Sequence, residues 1–164
     1  MGWDWGAERG AMRRAVLLGA VVSLVATAAW AATSKRDCYS NADVEAELAI
    51  QFQAKLMVLS DVCRDTTYGL FTQRNKDAII RYQRQMIDHF RREGKGRAEV
   101  VFENYMTHLA NEEALASGQR SMVENCQTSA LIPLANSFTT SNEMRAYFAS
   151  QAAANRASYV ACKE

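Results

Sequence analysis

Apolar residues recur at three- and four-residue steps along most of this chain, the spacing of one face of an α-helix. β-branched residues are sparse and the only proline is Pro133, so strands are disfavoured. Over residues 41–64, Val44, Leu48, Phe52, Leu56, Leu59 and Cys63 form one stripe, and Ser40 with Asp43 three positions on predicts a capping box at its start. The run Asp65-Thr66-Thr67-Tyr68-Gly69 is expected to break that helix. A second helix over 73–92 carries Ile79, Tyr82, Met86 and Phe90 inward and stops at Gly94-Lys95-Gly96. A third over 97–116 turns Val101 or Phe102, Tyr105, Leu109 and Ala116 inward and ends before Gly118. Ser121 with Glu124 opens a short helix over 121–132 that Pro133 is expected to end. Thr140 with Glu143 opens the last, 141–162, whose inward stripe is Met144, Phe148, Ala152, Asn155 and Tyr159. The pattern predicts an all-α protein: an up-and-down four-helix bundle with a short additional helix at about 121–132.

Before these helices the pattern changes. Residues 15–29 are almost wholly apolar and follow Arg13-Arg14, but they fall short of the roughly 20 residues a membrane-crossing helix needs. They read as the core of a signal peptide, with Ala29 and Ala31 placing the cut after Ala31. Asp4 and Glu8 are foreign to a leader, so translation is expected to start at Met12. The mature chain is then one helical domain, 32–164, exported to the periplasm or secreted, with no transmembrane segment.

Export changes the meaning of Cys38, Cys63, Cys126 and Cys162, because an oxidising compartment makes them a disulfide framework. Cys38 and Cys63 lie at opposite ends of a helix about 35 Å long, whereas bridged Cα atoms lie within about 7 Å. Short connections make neighbouring helices antiparallel, which brings Cys126 beside Cys63 at one end and delivers Cys162 to Cys38 at the other. The third pairing requires the 121–132 helix to cross the bundle, and twelve residues reach only about 18 Å. Two staples are predicted, Cys63–Cys126 and Cys38–Cys162.

Charge adds less. Without residues 1–31 the chain holds 16 Lys/Arg against 16 Asp/Glu, which offers no general attraction for nucleic acid. The balance is uneven locally: Arg74, Arg81, Arg84, Arg91 and Arg92 concentrate on the second helix between acidic neighbours. One reading is charge complementarity between helices. The other is a basic binding face for an envelope protein or an acidic envelope polymer.

Candidate chemistry is thin. There is no C-x-x-C-H for covalent haem and no G-x-S-x-G nucleophile, and bridged cysteines have no thiolate. No cofactor is expected, since Met57, Met86, Met106, Met122 and Met144 are scattered singly as core filler. His89 with Glu99 and Glu103 is a weak metal candidate, and Glu103, Tyr105, His108 and Glu112 a weak catalytic one. The expected function is therefore a non-catalytic binding or adaptor protein of the bacterial envelope. The alternatives are a cofactor- or metal-binding bundle and a small periplasmic enzyme.

Overall fold

A computed structural model describes residues 38–162, so the signal-peptide reading of 1–31 and the start at Met12 lie outside the described residues. In chain order the helices are α1 (Asn41–Cys63), α2 (Thr67–Arg74), α3 (Lys76–Glu93), α4 (Ala98–Gln119), α5 (Met122–Cys126), α6 (Leu131–Ser137) and α7 (Ser141–Asn155). The described protein is all-α, with no strand, and none of its helices is long and apolar enough to cross a membrane.

Three capping boxes start three of these helices. Ser40 and Asp43 open α1, Ser121 and Glu124 open α5, and Thr140 and Glu143 open α7. In each, the hydroxyl accepts an orphan backbone N–H three residues on while the carboxylate accepts the N–H of the cap itself. α1 ends at Arg64, which takes up a left-handed conformation at φ 54°. Glycine meets no Cβ clash there, so Arg64→Gly is expected to raise stability by roughly 0.5–1 kcal/mol, read by urea denaturation.

α1 is the central helix, with α3, α4 and α7 all packed on it and α3 touching both α4 and α7. Having neighbours on several sides, α1 buries Ala46, Ala49, Ile50 and Ala54 as well as Val44, Phe52, Leu56 and Leu59. Directions alternate. The end of α3 meets the start of α1 through Arg92 and Asp43, α4 runs with α1 so that Tyr105 reaches Glu47, and α7 runs back toward Tyr39. At mid-height Phe52 meets Phe71, Phe138 and Phe148 edge-on at centroid distances of 5.6, 5.9 and 5.5 Å.

Disulfides Cys38–Cys162 and Cys63–Cys126 staple the two ends, with Cα separations of 4.7 and 5.6 Å. This is the pairing that helix length and direction predict.

Four local expectations are corrected. Thr67–Arg74 is helical: Asp65 accepts the Thr67 N–H at 2.8 Å and thereby starts α2 inside the expected break. The 121–132 helix is two helices, and Pro133 is the third residue of α6 rather than a terminator. Proline suits a first turn because its missing N–H has no intrahelical acceptor there. The last helix stops at Asn155. A short 3-10 turn (Arg156–Ser158) then releases an extended tail whose Val160 carbonyl accepts the Tyr39 N–H at 2.8 Å, which carries Cys162 to Cys38. On α4, Ala116 is exposed and Ser117 is buried in its place, beside Glu113 and Arg120.

Candidate functional site

The five arginines expected to form one basic face fall into distinct environments. Arg74 closes α2, where a cation suits the negative end of a helix. Arg91 pairs with Asp88 and, at 3.2 Å, with Glu99 of α4. Arg92 donates to Asp43 Oδ2 of α1 at 2.6 Å. These last two contacts are the charge complementarity between helices that the sequence allows.

Arg81 and Arg84 differ. Neither makes an ion pair among the described residues, and both line an open depression of about 480 Å³ with Asp77, Ile80, Gln85 and Asp88. Arg81 also borders a second depression, of about 320 Å³, with Glu45 and the α7 residues Asn142 and Arg145. Arg145 likewise has no ion pair among the described residues. The Glu45 carboxylate between them accepts the Tyr82 hydroxyl at 2.8 Å. That phenol is pushed above the usual tyrosine range, by burial first and by Glu45 next, against the pull of Arg145 and Arg81.

Beneath the paired end of α3 lies a buried polar hub. Asp43 is fully buried; its Oδ2 accepts from Arg92, from the Ser40 N–H at 2.8 Å and from the Ser40 hydroxyl at 2.7 Å, and its Oδ1 accepts from Gln85 at 2.7 Å. Burial alone would raise this carboxyl. Contacts with His89, Arg92, Gln85 and Ser40 more than offset that and hold it well below the usual carboxylate range. His89, also fully buried, stands 3.7 Å from Asp43 Oδ2 and 3.4 Å from Glu93 Oε1. Tyr39 packs on its ring at 4.2 Å. Next to the hub, Glu47 accepts from Gln51 at 3.1 Å and Tyr105 at 3.2 Å. The Tyr39 and Tyr105 hydroxyls are both pushed up, chiefly by burial and then by Glu47.

The weak metal candidates are not brought together: His89 turns into the hub, Glu99 pairs with Arg91, and Glu103 is exposed on α4. Asp43 and Glu93 face opposite ring nitrogens of His89, so they are not a common ligand set, and no metal-holding group of His, Cys, Asp and Glu occurs among the described residues. The weak catalytic set also disperses. Tyr105 faces α1, while exposed His108 pairs with Glu112 at 3.2 Å.

At the opposite end a larger open groove of about 870 Å³ runs between α1, α2 and α4, where Met57, Tyr68, Gly69, Ala110 and Ala114 give it an apolar floor and Asp61 a polar edge. The sequence signals neither this groove nor Arg145 as a companion of Arg81, because both arise from helices distant in the chain. The chain matches no protein-family model, no curated protein and no solved structure.

Proposed function

We propose that this is a binding or adaptor protein of the bacterial envelope, exported through its N-terminal signal and acting through an arginine surface on α3 and α7 rather than through bond-making chemistry. The observation that carries the reading is the contrast within α3. Arg91 and Arg92 have carboxylate partners, whereas Arg81 and Arg84, with Arg145 from α7, line two adjoining depressions without an ion pair among the described residues. Cations left open in concave places are available to an acidic partner, protein or polymer. Two disulfides, which staple both ends of the described fold, fit an oxidising compartment.

Crosslinking in the native host, followed by identification of what is captured, tests this when the wild type is compared with an Arg81→Glu/Arg84→Glu variant. The expected result is a captured partner whose recovery falls at least about tenfold in the variant, the order of a single unfavourable charge contact, while the melting temperature stays nearly constant. Capture that is unchanged in a destabilised variant would assign these arginines to the fold instead.

A further inference from the structure

The residues that line the two arginine depressions fall on regular helix faces. On α3 they are Asp77, Ile80, Arg81, Arg84, Gln85 and Asp88, which recur at three- and four-residue steps over three turns. On α7 they are Asn142, Arg145, Ala146 and Ala149, the same spacing over two turns. Arg81 belongs to both depressions, so the two faces meet at that side chain, and α3 and α7 pack on each other beneath it. An uncovered strip along α3 therefore turns onto α7.

Charge along the α3 strip changes sign twice. Asp77 opens it, Arg81 and Arg84 occupy the middle, and Asp88 ends it, about 16 Å from Asp77 at the rise of an α-helix. All four side chains are exposed. Asp77 with Arg81 and Arg84 with Asp88 stand four positions apart, where opposite charges can pair along a helix. Neither pair forms among the described residues, and Asp88 turns to Arg91 instead.

This order of charge selects among acidic partners. A uniform polyanion lying along α3 is attracted at the middle but repelled by Asp77 or Asp88, whereas a protein segment with acids at its centre and bases at its ends is matched throughout. A second copy of α3 laid antiparallel in register fails too, since it sets Arg84 against Arg81 and Asp88 against Asp77. The α7 side fixes the shape of the occupant. Ala146 and Ala149 are exposed and small, so another helix can approach to the roughly 8–10 Å of packed helix axes, with half-buried Ile80 as its apolar contact on α3. Two other polar groups of the strip are already engaged: Glu45 accepts the Tyr82 hydroxyl at 2.8 Å, and the Gln85 amide donates to Asp43 at 2.7 Å. The guanidinium groups of Arg81, Arg84 and Arg145 are what the strip leaves open.

Building on the arginine surface proposed above, we infer that its occupant is an amphipathic helix of a partner protein, with two acidic residues three positions apart facing Arg81 and Arg84 and basic residues one turn beyond them facing Asp77 and Asp88. Side chains three positions apart on a helix have Cβ atoms about 5–6 Å apart, so the acidic pair matches the spacing of Arg81 and Arg84 themselves. A third acid reaches Arg145, and small residues lie over Ala146 and Ala149.

Amide NMR of the oxidised protein tests this with a synthetic alanine-rich helical peptide. Its two glutamates stand three positions apart and are flanked, four positions out on either side, by lysines. The comparison probes are the same peptide with glutamates and lysines exchanged, and sodium polyphosphate. The patterned peptide is expected to shift amides of α3 and α7 saturably, and the exchanged peptide to bind at least about tenfold more weakly. In Arg81→Glu/Arg84→Glu the centre of the strip repels the glutamates while its ends still attract the lysines, so the preference between the two peptides is expected to vanish. Ala149→Gln, which crowds the α7 side without altering charge, is expected to weaken the patterned peptide about fivefold. Both variants change exposed side chains, and their own spectra report that they are folded. No response to the patterned peptide, equal binding of the two peptides, or shifts scattered outside α3 and α7 would overturn the helix as occupant. Tighter binding of polyphosphate than of the patterned peptide would also overturn it and leave the arginine surface standing, whereas failure of that surface is read separately by the host crosslinking.

Discussion

Replacing all four cysteines by serine is expected to leave most molecules unfolded at 37 °C, and breaking either bridge alone to lower the melting temperature by roughly 10–20 °C. The bridges close segments with sequence separations of 124 and 63 residues. On the chain-entropy model each is worth about 4–5 kcal/mol, against a total stability of about 5–15 kcal/mol for a domain of this kind. The shorter loop lies inside the longer one, so the two effects overlap and the quadruple variant loses less than their sum. Their structural roles also differ. Cys63–Cys126 fastens α5 to the end of α1, whereas Cys38–Cys162 joins the two ends of the described chain beside the polar hub. Circular dichroism melts of the oxidised, singly bridged and cysteine-free proteins check this, and a cysteine-free protein melting within a few degrees of the oxidised one would refute it.

Asp43→Ala is expected to cost about 2–4 kcal/mol, the scale for losing a helix cap and leaving inward-facing donors without their acceptor. The single carboxylate serves Ser40, Gln85 and Arg92 and stands beside His89. Its loss strips α1 of half its capping box and leaves the Gln85 amide and the inward end of Arg92 without an acceptor. Asp43→Asn, which keeps one acceptor oxygen and the shape, is expected to fall between. The pH dependence has a definite sign. Because the folded carboxyl is held below its ordinary value, the stabilisation is fully present above about pH 4 and is lost as pH falls below that. Urea unfolding at neutral pH and in acid should show the gap between wild type and Asp43→Asn narrowing in acid. A constant gap would mean that the charge of Asp43 contributes nothing.

Much of the fold was legible because its signals are local. Ser40, Ser121 and Thr140 each have an acid three residues on, and each opens a helix. The disulfide pairing was legible for a different reason: a continuous helix from Asn41 to Cys63 separates Cys38 from Cys63 whatever the rest of the chain does. Where local signals have two meanings, expectation and structure part. Pro133 ends a helix in one register and begins one in another, and the choice falls to the packing of α6 on α2 and α1. Asp65, in a run that looks like a breaker, also starts a helix once its side chain accepts the Thr67 N–H. The tail leaves the helical path at Arg156 because its end must reach Cys38, a demand that Tyr159 cannot reveal from its spacing.

The candidate sites were less legible. His89 lies three residues after Met86 on the same inward face, so its burial could have been read from periodicity, but its partners Asp43 and Glu93 could not. Asp43 already had an explanation as a capping residue, and that masked its second role. The arginines of α3 look equivalent as a run of charge. Only the neighbouring helices distinguish Arg91 and Arg92, which are paired, from Arg81 and Arg84, which make no ion pair among the described residues.

A scaffold stapled at both ends underlies the fold and the stability, and the proposed role in an oxidising compartment rests on it. Its most direct test is the disulfide map of protein recovered from its native host with thiols blocked at lysis. Trypsin separates the four cysteines into the segments 37–55, 56–64, 121–145 and 157–163. Non-reducing mass spectrometry is predicted to find 37–55 joined to 157–163 and 56–64 joined to 121–145. Blocked free thiols, or 37–55 joined to 56–64, would contradict the account.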